Sequence, residues 1–296
     1  MRVFLTGATG YIGAAVLDRL VAEGHQVTAL VRDQGKAEAV RARGAVPVLG
    51  DLADADAVHR LADAADGVIH LAAPGDDSSA RIDDAAATHI LGALKGTDRP
   101  YVHTSGLWVH GSGTAITEST PMNPPRLTAW RVPIVERVLS TPGVRVAVVA
   151  PAVVYGRGGG LLNLVASGPR TAGDAPALTM IGHGEQHWGT VHVDDLAVLY
   201  VRALESAPAG SYFIGASGVN PTVREITEAV SRAIGLSGRV APEPVARTLE
   251  RLGLLGEALL LDQQAGGDAA RRILGWTPEQ STIVEDLAAN RLAAIS

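Results

Sequence analysis

The sequence predicts an α/β protein built on a doubly wound parallel sheet. Three observations carry this expectation. Short β-branched runs alternate with Ala-rich stretches of helical period along the first half of the chain. The β-branched runs are apolar throughout rather than alternating, the pattern of strands covered by helices on both faces. A glycine-rich turn lies where the first run gives way to the first helix.

The elements follow in order. Val3–Thr6 reads as a strand, Ile12–Ala22 as a helix, Gln26–Val31 as a strand and Lys36–Arg43 as a helix. Ala45–Leu49 is a third strand, Ala55–Ala64 a helix, Gly67–Leu71 a strand and Asp83–Lys95 a helix. Tyr101–Ser105 and Val144–Ala150 are two further strands. After Pro151 the texture loosens. Gly156–Gly160 and Ser167–Gly184 read as loops, Asp194–Glu205 as a helix, and Tyr212–Ile214 as a short strand. Thr222–Ile234 is an amphipathic helix that Pro221 would open, since proline lacks the N–H that a first turn leaves unused. Residues 1–150 are therefore expected to form a dinucleotide-binding domain. Residues 151–296 should form mainly a small α/β substrate lobe, with some segments returning to the core.

Composition narrows the function. The 296 residues are 47% hydrophobic, enough for a substantial core, and carry a net charge of −6, which disfavours nucleic-acid and anionic-membrane partners. Cysteine is absent, which excludes disulfides and thiolate chemistry and fits a reducing cytoplasm. The apolar run Val3-Phe4-Leu5 is too brief for a signal-peptide core, and no stretch approaches the roughly 18 apolar residues of a spanning helix. The nine histidines are scattered, so no metal site is expected.

Thr6-Gly7-Ala8-Thr9-Gly10-Tyr11-Ile12-Gly13 has the form of a phosphate cradle. Gly7 would allow a tight turn, Gly10 a close approach of backbone to pyrophosphate, and Gly13 close helix–strand packing. The helix start, with Tyr11 and Ile12, would present N–H groups and a positive dipole end. This is the Rossmann-type arrangement. About twenty residues on comes Val31-Arg32-Asp33, with Lys36 close by. Arginine there accommodates a 2′-phosphate and an acid takes ribose hydroxyls, so Arg32 and Lys36 favour NADP(H), with Asp33 and NAD(H) as the alternative. Asp51 and Leu52 follow the third strand, suited to an adenine edge, and Leu71, Ala72 and Ala73 follow the fourth.

With Gly50-Asp51-Leu52, His70-Leu71-Ala72-Ala73, His103-Thr104-Ser105, Pro151-Ala152-Val153-Val154-Tyr155-Gly156 and Val191-His192-Val193-Asp194-Asp195, the glycine motif resembles the extended and atypical short-chain dehydrogenase/reductases. The likeness covers nearly the whole chain. It implies that Thr104, Pro151, Val153 and Val154 lie against the cofactor, that Ser105 stands beside a reacting carbonyl, and that Tyr155 begins the substrate lobe. His192 and Asp194 are expected to be structural.

The family's catalytic pair, a tyrosine with a lysine four residues later, is missing. Neither Lys36 nor Lys95 follows a tyrosine by four, and both precede Ser105. In the expected segment Thr128 and Val132, or Trp130 and Ile134, fill the two positions, and Pro133 fits a helix only in its first turn. Sugar-nucleotide epimerisation or dehydration needs the tyrosinate, so two readings stand ahead of it. One is a reductase that obtains its proton elsewhere, for instance from a hydroxyl beside the substrate ketone. The other is a non-catalytic, redox-sensing NADP(H)-binding regulator. Hydride transfer rests mainly on position, which favours the reductase. Ser105, His110 and His187 remain as side chains able to assist. Leu107, Trp108, Trp130, Tyr155 and Trp188 fall in segments expected to line the substrate cleft, and their aromatic walls suit a flat polycyclic ketone. The resemblance to atypical reductases that tailor aromatic polyketides supplies that substrate class.

Overall fold

The computed structural model describes residues 1–289. Its main layer is a seven-stranded sheet in which every neighbouring pair is parallel. The strands are β1 (Arg2–Thr6), β2 (Gln26–Val31), β3 (Val46–Leu49), β4 (Gly67–His70), β5 (Pro100–Thr104), β7 (Arg145–Pro151) and β11 (Ser211–Gly215). Outside it lie β6 (Gly113–Ile116), β8 (Val153–Tyr155), β9 (Leu178–Thr179), β10 (Thr190–His192), β12 (Val240–Ala241) and β13 (Gln263–Ala265). The sheet order is β11-β7-β5-β4-β1-β2-β3, so the chain reverses direction across the sheet between β1 and β4. A crevice opens at the carboxyl ends of strands at such a reversal, which is where this architecture binds ligands.

Helices cover both faces, as the wholly apolar strands require. They are α1 (Tyr11–Ala22), α2 (Gln34–Ala42), α3 (Ala55–Asp63), α4 (Ser79–Leu94), α5 (Arg131–Leu139), α6 (Leu162–Ala166), α7 (Val193–Ser206), α8 (Val223–Ala233), α9 (Val245–Leu259), α10 (Asp268–Leu274) and α11 (Ile283–Ala289). One face packs α1 and α7 over Leu5, Val31, Val102 and Val149. The other packs α3, α4 and α5 over Phe4, Val68, Tyr101 and Val148. A third core, with Tyr155, Trp188, Ile226 and Leu259, lies under α6, α8, α9 and α11.

The expected elements up to Pro151 all form, most within two residues of their expected bounds. The largest shift is α4, which starts at Ser79, a turn before Asp83. Later segments differ more. β6 leaves the first half to pair with β13, and β9 interrupts the segment expected to be all loop. Pro221 does not open α8. Thr222 is its N-cap in a reciprocal capping box with Glu225, and Pro221 stands one residue outside. Pro133 is the third residue of α5, inside the first turn, where its ring costs no helical hydrogen bond. No helix among the described residues is long and apolar enough to cross a membrane.

Candidate active site

Two glycines of the first loop are fixed by geometry. Gly7 has φ +74°, and a Cβ on it would sit 2.8 Å from the backbone of Leu71 and Ala72. A Cβ on Gly13 would stand 2.0 Å from the Gly7 carbonyl oxygen, so only glycine lets α1 seat on the loop. Gly10 differs. It has φ −76°, and a Cβ there would meet only the Gly7 oxygen, at 3.2 Å. Nothing in the fold demands glycine at that exposed position, which leaves a ligand as the reason for the missing side chain. As N-cap of α1 it offers no side-chain cap, and the first turn holds no acid. That helix end suits a pyrophosphate, and the residues fit a dinucleotide.

From this point a cleft of about 360 Å³ runs across the carboxyl ends of β1, β2 and β4. Gly7, Thr9 and Gly10 line one part, Arg32 and Lys36 another, Asp51 and Leu52 a third, and Leu71, Ala72 and Ala73 the opposite wall. The Thr6 hydroxyl accepts the N–H groups of Leu71 and Ala72, each at 3.2 Å, and so ties the glycine loop to that wall. At the end of β2, Asp33 caps α2 by accepting the Lys36 N–H at 2.9 Å, which holds its carboxyl below the usual range. The Lys36 ammonium lies 3.6 Å from the same carboxylate. Arg32 is exposed and makes no hydrogen bond or ion pair among the described residues. Asp51 accepts the Ala53 N–H at 2.9 Å, which shapes the turn after β3.

Beneath the cleft is a cluster that the linear sequence hid. His70 Nε2 lies 3.1 Å from Asp83 Oδ1 and His103 Nε2 lies 3.5 Å from Asp83 Oδ2, all three buried. Their potential ligand atoms fall within 4.8 Å of one another, which corrects the expectation that no histidines and acids would gather. The sheet does the gathering. His70 and His103 are register partners on β4 and β5, and α4 lays Asp83 over both. The outer ring nitrogens meet Thr6 Oγ1 at 2.7 Å and Tyr101 OH at 2.9 Å. Burial pushes His103 down to about 3. Burial works to raise Asp83, but the His70 hydrogen bond and neighbouring positive charge outweigh it and hold the carboxyl low. Arg131 supplies part of that charge, and burial lowers its own pKa. Its guanidinium donates to the Thr104 carbonyl at 3.2 Å and lies 4.3 Å over the Trp130 ring.

Ser105 follows β5 and is 5% exposed. Its hydroxyl is near enough to the Tyr212 phenol to lower that phenol's pKa, but it makes no hydrogen bond among the described residues. His110 Nε2 meets that phenol at 3.1 Å, and its Nδ1 meets the Thr120 carbonyl at 3.0 Å. Tyr212 was not among the expected site residues, because its strand lies at the far edge of the sheet and over a hundred residues from Ser105.

The comparisons with known proteins now bear on this geometry. A model described as the NAD dependent epimerase/dehydratase family matches residues 3–215. The chain belongs to this family. An uncharacterized protein of Schizosaccharomyces pombe is 30% identical over 98% of this chain and 99% of its own length. A UDP-glucose 4-epimerase of Mycolicibacterium smegmatis is 30% identical over 94% of each chain. A 4-hydroxy-2-methyl-3-oxo-4-farnesyl-3,4-dihydroquinoline-1-oxide ketoreductase of Stigmatella aurantiaca is 28% identical over 99% of this chain and 91% of the other. Among solved structures, a dTDP-glucose 4,6-dehydratase from Bacillus anthracis in complex with NAD matches with TM-score 0.79 over 97% of this chain and 96% of the other, at 15% identity.

In this member of the epimerase/dehydratase family, the other expected site residues have the following places in the fold. Tyr155 is 2% exposed, and its hydroxyl donates to the Ser281 carbonyl at 2.6 Å. Trp188 is equally buried and donates to the Leu259 carbonyl at 3.0 Å. Both rings lie in the third core, with Ile226 and Leu259, rather than on an open surface. Tyr11 turns its ring toward Gly159 and Gly160, and its hydroxyl donates to the Gly156 carbonyl at 2.7 Å. Ile12 packs on the core beside α1. The Thr104 hydroxyl is taken by the His70 carbonyl and by Tyr200. Pro151, Val153 and Val154 are buried in β7 and β8. Leu107 is buried, and its carbonyl accepts from Gln263. Trp108 and Trp130 remain partly exposed. The His187 ring is held by Asp262 at 2.9 Å. His192 caps α7 by accepting the Asp194 N–H at 3.2 Å, a structural role. Thr128, one of the two residues that could fill the family's tyrosine position, is buried, and its hydroxyl has no partner among the described residues.

Proposed function

We propose that this protein is an NADPH-dependent ketoreductase acting on a bulky, flat, polycyclic aromatic ketone. One observation supports it above the others: a glycine loop and helix start that fit a pyrophosphate occur in a chain in which no lysine follows a tyrosine by four. Epimerisation and dehydration of sugars need the tyrosinate of such a pair as base. Reduction of a ketone needs above all a carbonyl held in position, and general acid help adds about 10²–10⁴-fold.

The α1 N-terminus would hold the pyrophosphate, and Arg32, free where Asp33 is spent on a helix cap, would hold a 2′-phosphate. When bound, the reduced nicotinamide supplies hydride. Ser105 would hydrogen-bond the carbonyl oxygen from the end of β5. Residues 151–289, joined by β6 from the first half, would bind the body of the substrate, with Trp108 and Trp130 as the aromatic surfaces left after Tyr155 and Trp188 go to the core. The relative named as a farnesyl-dihydroquinoline-oxide ketoreductase supports the reading that the substrate is a ring-bearing ketone. A hydroxyl next to the ketone would hydrogen-bond the carbonyl and ease its protonation, so such ketones should be preferred. The acidic surface suits a small-molecule partner rather than nucleic acid or membrane, and cysteine-free composition suits the cytoplasm.

The test is a panel of ketones incubated with protein and NADPH or NADH, following loss of the reduced cofactor. Turnover of aromatic ketones with NADPH preferred is expected. Cofactor binding without turnover of any ketone would favour a redox-sensing regulator instead.

A further inference from the structure

Ser105, Tyr212 and His110 arrive from the end of β5, the edge strand β11 and the turn at residues 107–110. We propose that they form a proton relay to the substrate carbonyl, with His110 as acid, Tyr212 as carrier and Ser105 as final donor. The relay rests on the ketoreductase reading above and supplies the proton that the missing phenol–ammonium pair would have supplied.

The hydrogen-bond geometry sets the direction. His110 Nδ1 lies 3.0 Å from a carbonyl oxygen, which can only accept, so Nδ1 carries a proton in every charge state. Nε2 lies 3.1 Å from the Tyr212 hydroxyl, with the two rings edge to face at 5.6 Å. In neutral His110 the phenol donates to Nε2. In the imidazolium, Nε2–H donates to the phenol oxygen and frees the phenolic hydrogen for Ser105. The Ser105 hydrogen is then free for a carbonyl oxygen. The unpartnered, buried Ser105 hydroxyl is the gap this chain would close once a substrate is present. Tyr212 is brought to the same part of the sheet because β11 pairs with β7 and β7 with β5. Tyr212 is level with Val148 and Val148 with His103, two residues before Ser105.

The step balances. Hydride from a reduced nicotinamide, which is oxidised, adds to the carbonyl carbon. The Ser105 O–H bond breaks as a new O–H forms on the former carbonyl oxygen. Ser105 takes the phenolic hydrogen, the phenol takes the Nε2 hydrogen, and His110 ends neutral until solvent recharges it. Tyr212 does not act as a base, since burial holds its pKa far above the ordinary phenol value. The groups facing His110 are Tyr212, the Glu118 carboxylate and the backbone of Thr120 and Pro121. Burial outweighs the Thr120 and Pro121 backbone bonds and the attraction of Glu118, so the imidazolium forms only below the ordinary histidine value. The rate should therefore fall as pH rises through that lowered value.

The test uses a ketone without a neighbouring hydroxyl and compares wild type with Tyr212→Phe and His110→Gln. Wild type should lose about tenfold in kcat per pH unit on the alkaline limb. Each variant should lose about 10- to 100-fold and show a flat profile, with the Kd for NADPH unchanged. In cofactor-free protein, nitrogen NMR of the His110 ring should show the neutral form protonated at Nδ1 and a titration that moves in Tyr212→Phe. A neutral form protonated at Nε2, or a wild-type slope retained in His110→Gln, overturns the relay while leaving the reductase standing. No turnover of any ketone by wild type defeats the reductase reading, and the relay falls with it.

Discussion

Gly10 and Gly13 stand three residues apart, and a methyl group would do different harm at each. Gly13→Ala drives a Cβ against the Gly7 carbonyl, so it should destabilise the fold by about 2 kcal/mol or more, read as a lowered denaturation midpoint. Gly10→Ala should change stability by less than about 1 kcal/mol, yet weaken dinucleotide binding at least tenfold by calorimetry, because its Cβ would stand in the approach we propose for the pyrophosphate. Arg32→Ala should weaken NADPH by about 10- to 100-fold, the worth of a charge-assisted phosphate contact, with little effect on NADH. Equal losses for the two cofactors would show that Arg32 does not read the 2′-phosphate. Glycines and the strand-end arginine were legible because backbone geometry and strand register fix where such residues stand. The directions of Tyr155 and Trp188 were not. Both lie in short strands or loops without periodicity, and only tertiary contact decides whether such a ring meets core or cleft.

At the scale of elements, the sheet was readable wherever a strand is buried on both faces, since wholly apolar runs such as those of β5 and β7 have few other uses. The pairs β6–β13 and β9–β12 were not readable. They are two to four residues long and exist only because distant segments meet. The same holds for the His70–Asp83–His103 cluster, which needs two neighbouring strands and a crossing helix before it becomes visible. α8 offers a direct check of local coding. Its capping box satisfies first-turn N–H groups reciprocally, so Thr222→Ala should cost about 1 kcal/mol in chemical denaturation and leave cofactor affinity intact.

Across the whole molecule, the buried cluster couples folding to pH. His103 is neutral in the fold, with its pKa pushed down to about 3, while an unfolded chain would protonate it near 6.5. Between those values the unfolded chain binds more protons, so stability falls as pH drops from about 6.5 toward 3. Asp83, held below the ordinary carboxylate range, adds a loss in the same direction once pH falls below about 4. Denaturant midpoints at pH 7, 5.5 and 4 should register a loss on the order of 3 kcal/mol, and His103→Gln should flatten it. The same core fixes β4 and β5, and with them the wall on which a carbonyl would meet the cofactor. Hydride delivery to the carbonyl is tested most directly with NADPH dideuterated at nicotinamide C4, the alcohol product being analysed by mass spectrometry. One deuterium on the carbinol carbon is the expected result. An alcohol without deuterium, or a ketone left unreduced alongside intact NADPH, would contradict it.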